Sequence, residues 1–130
     1  MTYPFWALFI GVLLPYLTAF TAALYKKKQF GKIDFNTPRE QSAELVGAGL
    51  RANAAQYNTW EALIVFSIAF FAAVAAGVSP EKFNLPVLVW VIARVLYPIC
   101  YISNIAIPRV CCFVAGMVAS LSLLILALSV

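Results

Sequence analysis

Apolar residues occupy the chain in four long runs, separated by three short polar connections. A helix needs about 20 apolar residues to cross a hydrocarbon layer roughly 30 Å thick. The first run extends from about Tyr3 to Tyr25. The second has its uncharged part from Ala62 to Val78, preceded by a polar stretch of helical character. The third runs from about Leu85 to Ile107 with one interruption, Arg94, and the fourth from about Val110 to Val130 with no charge. Runs this long and uniformly apolar predict helices, not barrel strands, because lipid offers no partner for backbone amides. The expected fold is all-α, a left-handed four-helix bundle in the membrane. It forms a single domain over residues 1–130, with spans at about 3–25, 43–77, 85–107 and 110–130.

Turn chemistry sharpens these boundaries. Thr37-Pro38-Arg39-Glu40 reads as a capping box with proline at the first helical position. The second helix is therefore expected to start near Pro38 and to run unbroken to Gly77, its first turns projecting from the membrane. Ser79-Pro80 and Asn84-Leu85-Pro86 read as turn and helix-start signals. Pro15 and Pro98 fall inside spans and are expected to kink them. The first run lacks a basic leader and a cleavage site, which marks it as a retained span and not a signal peptide.

Composition then narrows the chemistry. The 130 residues are 64% hydrophobic and 11% charged, far from a soluble domain, which is about a quarter charged. No histidine is present, so histidine metal sites and Ser-His-Asp or Cys-His catalysis are excluded. The three cysteines, Cys100, Cys111 and Cys112, have neither zinc-ligand spacing nor a disulfide-framework pattern, and no metal is expected. Lys26, Lys27, Lys28, Lys32 and Arg39 crowd the first connection (residues 26–42), and Arg109 closes the third. By the positive-inside rule these loops face the cytoplasm and both termini lie outside. The lysines also suit contact with anionic lipid. Nothing in so apolar a chain points to nucleic acid.

Polar residues inside the runs are the informative ones. A charge at the bilayer centre costs from about 3 to more than 10 kcal/mol, so such groups face a bundle interior or a wet cavity. In the second helix Arg51, Asn58 and Glu61 share one face; in the third, Arg94, Tyr97 and Tyr101 do, and Asn104 continues the stripe. At 1.5 Å per residue, Glu61 lies roughly 24 Å from the outer end of its helix, and Tyr101 about 25 Å from the start of the next. The two stripes therefore meet at one depth. The expected result is a pocket open to the cytoplasm, rimmed by Arg51 and Arg109 and floored by Arg94. Arginine forks suit carboxylates, Glu61 and Asn58 suit an ammonium and amides, and the cations would acidify a bound thiol. An ion pair between Arg94 and Glu61 that only fixes helix register is the simpler structural alternative. The tryptophans Trp6, Trp60 and Trp90 read as interfacial or packing residues.

The segment Arg51-Ala52-Asn53-Ala54-Ala55-Gln56-Tyr57-Asn58-Thr59-Trp60-Glu61-Ala62 resembles the second-helix signature of the MAPEG family (membrane-associated proteins in eicosanoid and glutathione metabolism). Arg94-x-x-Tyr97-x-x-x-Tyr101, followed by Pro108-Arg109, is similar to the family's third-helix motif and the start of its fourth helix. The resemblance covers essentially the whole chain. It implies a homotrimer with glutathione as co-substrate bound between neighbouring subunits near the cytoplasmic face. Arg51, Asn58, Glu61, Arg94, Tyr97 and Tyr101 would contact glutathione, and Arg109 would be the catalytic residue that stabilises its thiolate. The implied function is a membrane-bound glutathione transferase or peroxidase acting on lipophilic small molecules or lipid hydroperoxides, here in a bacterial-type member of an inner membrane. Two departures stand out. Ala54 replaces an arginine that many members carry, and Arg109 lies eight residues beyond Tyr101 where the eicosanoid synthases have seven. The first favours a different reading, a non-catalytic lipid-binding or scaffold protein on the same fold. A small multidrug transporter is disfavoured, since the first span lacks the acidic residue such transporters use.

Overall fold

The computed structural model describes residues 2–130. Five α-helices follow in order: α1 Trp6–Phe30, α2 Pro38–Ala43, α3 Gly47–Ala75, α4 Asn84–Ile102 and α5 Ala106–Leu128, with a short 3-10 turn, Pro80–Phe83, leading into α4. Four of them, α1, α3, α4 and α5, are long and apolar enough to cross a membrane. The longest, α3, packs on α1, α4 and α5 alike. Consecutive spans run in opposite directions: the Tyr3 hydroxyl before α1 donates to the Val78 carbonyl after α3 (3.0 Å).

Helix and span boundaries differ for physical reasons. The first span was expected to stop at Tyr25, yet α1 continues through Lys26, Lys27 and Lys28 to Phe30. Lysine is a good helix former, and its charge is favourable against the carbonyl end of the helix. Gly31, in the left-handed region (φ 77°), closes the last turn by donating its N–H to the Lys27 carbonyl. Lys26 is buried, and its ammonium donates to the Pro38 carbonyl (2.9 Å), so one of the lysines read as an orientation signal ties α1 to α2.

The expected unbroken helix from Pro38 to Gly77 is two helices. Gln29 of α1 causes the break: its side-chain amide donates to the Glu44 carbonyl (2.9 Å) and accepts from the Val46 N–H (3.1 Å). Those backbone groups are satisfied without continuing the helix, and Gly47 supplies the left-handed step (φ 59°) that restarts it. Nor does the capping box close. Thr37 makes no cap bond, because its hydroxyl donates to Asp34 Oδ2 (2.7 Å). Asp34 Oδ1 accepts from the N–H groups of Asn36 (2.9 Å) and Thr37 (3.1 Å).

The third span ends at Ile102, not Ile107. Asn104 adopts φ 59°, the Asn104 N–H donates to the Tyr101 carbonyl and the Ile105 N–H to that of Cys100. This is the paired bonding that stops a helix with a left-handed residue, a role asparagine tolerates better than most. Asn104 therefore does not continue the polar stripe; it turns the chain into α5. That helix starts at Ala106, with Pro108 in its first turn where no N–H is needed. Pro15 and Pro98 stay inside continuous helices.

The apolar core sits toward the end opposite the lysines. Phe66 of α3 stacks on Trp90 of α4 (centroids 3.9 Å, 13° between planes), and Phe70 meets Phe83 edge-on. Gly11 lets α1 approach: a Cβ there would come within 2.8 Å of Leu63 and 3.0 Å of Trp90.

The loop makes a pH prediction. The Thr37 hydroxyl, followed by the N–H groups of Thr37 and Asn36, holds the Asp34 carboxyl below its ordinary value. A carboxyl with a lowered folded pKa contributes order that is complete above the ordinary carboxylate range and lost as pH falls through the lowered value. Protection of the Asn36 and Thr37 amides, taken relative to the intrinsic exchange rate at each pH, should therefore fall only in acid, and Asp34→Ala should show that lower protection already at neutral pH.

Candidate functional site

Arg94 is the centre from which the site is built. Halfway along α4, it is 1% exposed. Its Nη2 donates to Asn58 Oδ1 on α3 (2.9 Å), and its guanidinium carbon lies 4.3 Å from the centre of the Tyr97 ring. Nε is buried with no partner. The aliphatic stem passes over Gly116 of α5, where a Cβ would meet Arg94 Cδ at 3.2 Å. The hydrogen-bond partner of Arg94 is thus Asn58 and not Glu61, and the simple Arg94–Glu61 register pair is not what holds it.

From Arg94 a ladder of rings and cations runs toward the basic end of the bundle. Tyr97 and Tyr101, one turn apart, meet edge-on at 5.7 Å. Arg109, in the first turns of α5, lies with its guanidinium carbon 4.4 Å from the Tyr101 ring centre. Each cation faces the electron-rich side of a phenol, an attraction of about 0.5–2 kcal/mol depending on how dry the site is. The turn at Asn104 makes this possible by folding α5 back beside α4.

The single pocket expected from the sequence is divided into two adjoining clefts. The first, about 230 Å³, is lined by Asn58, Tyr97, Tyr101, Arg109, Val110 and Phe113. The second, about 220 Å³ and mostly apolar, lies deeper between α3, α4 and α5; Glu61, Arg94 and Trp90 line it, and Asn58 and Phe113 are common to both. Four of the expected site residues, Asn58, Tyr97, Tyr101 and Arg109, therefore share one cleft. Glu61 and Arg94 line the other. Arg51 lines neither: its Nε donates to the Ile102 carbonyl (3.1 Å), anchoring the C-terminus of α4 to the start of α3. Ala54 is half-buried on α3.

A third cavity, about 330 Å³ and more polar, was not anticipated. It lies between α1, α2 and α3 and is lined among others by Lys26, Arg39, Ser42, Asn53, Gln56 and Trp60. Its only sequence signal was Asn53 and Gln56, polar residues on a neighbouring face of the same helix. Between this cavity and the two clefts, α3 leaves Tyr57 and Glu61 exposed. Gly116 was also missed, although the small residues Gly116 and Ser120 one turn apart in an apolar helix mark a close approach. Among the described residues no group of histidine, cysteine or acidic side chains could hold a metal ion.

The family model described as "MAPEG family" matches residues 3–129. No curated protein and no solved structure matches the chain.

The Arg94 geometry predicts the effect of Gly116→Val. A Gly replacement in a helix gains some intrinsic propensity, under about 1 kcal/mol, whereas overpacking a tight core costs about 1–3 kcal/mol. The clash with the Arg94 stem should win, so thermal unfolding in detergent should show a loss of about 2 kcal/mol. An unchanged or raised midpoint would mean that the stem is free to move aside.

Proposed function

The chain belongs to the MAPEG family, an integral multi-pass membrane family of glutathione transferases and peroxidases, and from that premise we propose that it is a membrane-bound glutathione transferase or peroxidase acting on lipophilic electrophiles at the cytoplasmic side of the bilayer. The observation that carries this reading is the cleft that gathers Asn58, Tyr97, Tyr101 and Arg109 at the basic end of the bundle. Glutathione brings carboxylates, amides and a thiol. Asn58 offers an amide, the tyrosines offer hydroxyls, and Arg109 offers a cation held in place by the Tyr101 ring. A guanidinium beside a thiol stabilises the thiolate over the thiol, and the proton leaves to water. The thiolate sulfur then forms a bond to the electrophilic carbon as the leaving group departs with its electron pair.

The cleft lacks a second cation for glutathione's carboxylates. Ala54 stands where many members carry arginine, and Arg51 is engaged with the Ile102 carbonyl. The cavity on the next face of α3 supplies the missing charge through Arg39 if it belongs to a neighbouring subunit, Lys26 there being spent on the Pro38 carbonyl. A homotrimer with glutathione between subunits joins the two half-sites, which is the assembly the reading requires. Glu61, exposed on the edge of α3 between them, would then face that junction.

Ala54 also favours a second reading, a lipid-binding or scaffold protein on this fold that needs no thiol. Glutathione calorimetry on the purified protein separates the two: binding, with conjugation of a chlorodinitrobenzene-type substrate, is expected for the enzyme, and neither for the scaffold. Arg109→Ala should lower thiolate absorbance in the ultraviolet and reduce turnover by roughly a hundredfold, the usual consequence of removing one positioned charge stabiliser. Equal thiolate signals in the two proteins would remove Arg109 from the chemistry.

A further inference from the structure

Three cysteines stand near the basic end of the bundle, and the chemistry proposed above uses none of them. Cys100 is in the last turn of α4, and Cys111 and Cys112 are in the second turn of α5. The two helices run antiparallel, joined by the tight turn at Ser103, Asn104 and Ile105. Two contacts fix their register: the Arg94 stem against Gly116, and the Arg109 guanidinium over the Tyr101 ring. Cys112 falls between these contacts. It lies one turn before Gly116 and so continues the row Gly116, Ser120 and Leu123 that α5 buries. Cys100, one turn beyond Tyr97, extends the buried row of α4 in the same way. The thiols of Cys100 and Cys112 therefore face each other across the seam, close enough to interact directly. Both are half-buried, whereas Cys111 is exposed.

We infer that Cys100 and Cys112 form a redox-active dithiol, oxidised by a hydroperoxide to a disulfide that staples α4 to α5 within one subunit. At 1.5 Å per residue both sulfurs sit within about 10 Å of the joined helix ends. A lipid hydroperoxide reaches that level from the bilayer, and a reducing thiol reaches it from the water. One sulfur attacks the terminal oxygen of the hydroperoxide; the O–O bond breaks, and the alcohol leaves with the thiol's proton. The second thiol attacks the resulting sulfenic acid, the S–S bond forms, and the hydroxyl departs as water with the second proton. The two sulfurs give up two electrons, and the hydroperoxide is reduced to alcohol and water. Exchange with two thiols from solution reopens the bond and yields their disulfide. The closed ring runs from Cys100 to Cys112 and contains Tyr101, the Asn104 turn and Arg109. Oxidation thus locks the hairpin that holds Arg109 over Tyr101. Its effect on turnover rests on the glutathione reading; the bond itself does not.

The test needs no glutathione. The full chain, purified in detergent with its cysteines reduced, is treated with tert-butyl hydroperoxide, and its free thiols are then counted after denaturation. Two of the three thiols should be lost while the chain stays single on a non-reducing gel. Peptide mapping should find the segments holding Cys100 and Cys112 joined. Cys111→Ser should still lose two thiols, whereas Cys100→Ser and Cys112→Ser should form no disulfide within the chain. The oxidised protein should unfold at least about 4 °C above the reduced one, because a closed loop restricts the unfolded chain, and dithiothreitol should reverse the rise. Three thiols retained, a bond that uses Cys111, or a bond between chains overturns the proposal, and an unchanged midpoint overturns the staple. Should the variants at 100 and 112 not fold, the peptide map of the unaltered chain and Cys111→Ser decide alone. A protein that forms the bond but does not bind glutathione keeps the dithiol and loses the transferase.

Discussion

A guanidinium in the middle of a membrane helix is the constraint around which the bundle is arranged. Leaving Arg94 against lipid would cost at least about 3 kcal/mol. A charge-assisted hydrogen bond contributes about 1.5–3 kcal/mol and a desolvated cation–π contact about 2, so Asn58 and Tyr97 together offset the lower end of that cost. Both need α3 and α4 in a fixed register, and the stem needs the missing side chain at Gly116 to let α5 close over it. One residue thus sets the relation of three helices. The two clefts have Asn58 and Phe113 as common lining, and the bond from Arg94 holds Asn58 there.

The same arrangement explains why residues of one polar stripe do different jobs. Arg51, Asn58 and Glu61 share a helical face by spacing, but they are spread along some 15 Å of α3 at 1.5 Å per residue. Each meets a different neighbour: the end of α4, the Arg94 guanidinium, and the open edge of the bundle. Helical periodicity places side chains on a face; it does not decide which partner the packing brings there.

What could be read from the sequence divides along that line. The four spans were legible because lipid imposes length and apolarity on every one of them, and depth and face brought the two polar stripes together, but the pair weighed there was Arg94 with Glu61, whereas the bond forms to Asn58. The ends of helices were less legible, because they depend on single distant partners. Near Glu44 only Gly47 hints at a break; Gln29, well back along α1, makes it by supplying the bonds that continued helix would have supplied. Thr37 has the residues of a capping box after it, but the Asp34 carboxylate competes for its hydroxyl and wins, being a charged acceptor. Asn104 matched the stripe's period and yet serves the turn, since the backbone there must take a positive φ. Gly116, with Ser120 one turn on, signals that something comes close, but a glycine's contribution is an absence of atoms and does not say that the neighbour is Arg94.

Glu61 leads from one subunit to the assembly. It is exposed on α3 amid Ile64, Val65 and Ile68, all of them exposed as well. Apolar neighbours suit acyl chains, but a carboxylate at that level does not, by the same few kcal/mol that confine Arg94 to the interior. Burying Glu61 within the subunit would require turning α3, which would break the Arg94–Asn58 bond. The arrangement that satisfies both is to keep α3 as it is and cover its exposed edge from outside. In the proposed trimer a neighbouring subunit would do this, bringing Arg39 toward a cleft that has alanine at position 54. A shared site in place of a self-contained one is thus what the proposal asks of the fold, and the register set by a single buried arginine is the reason it asks it.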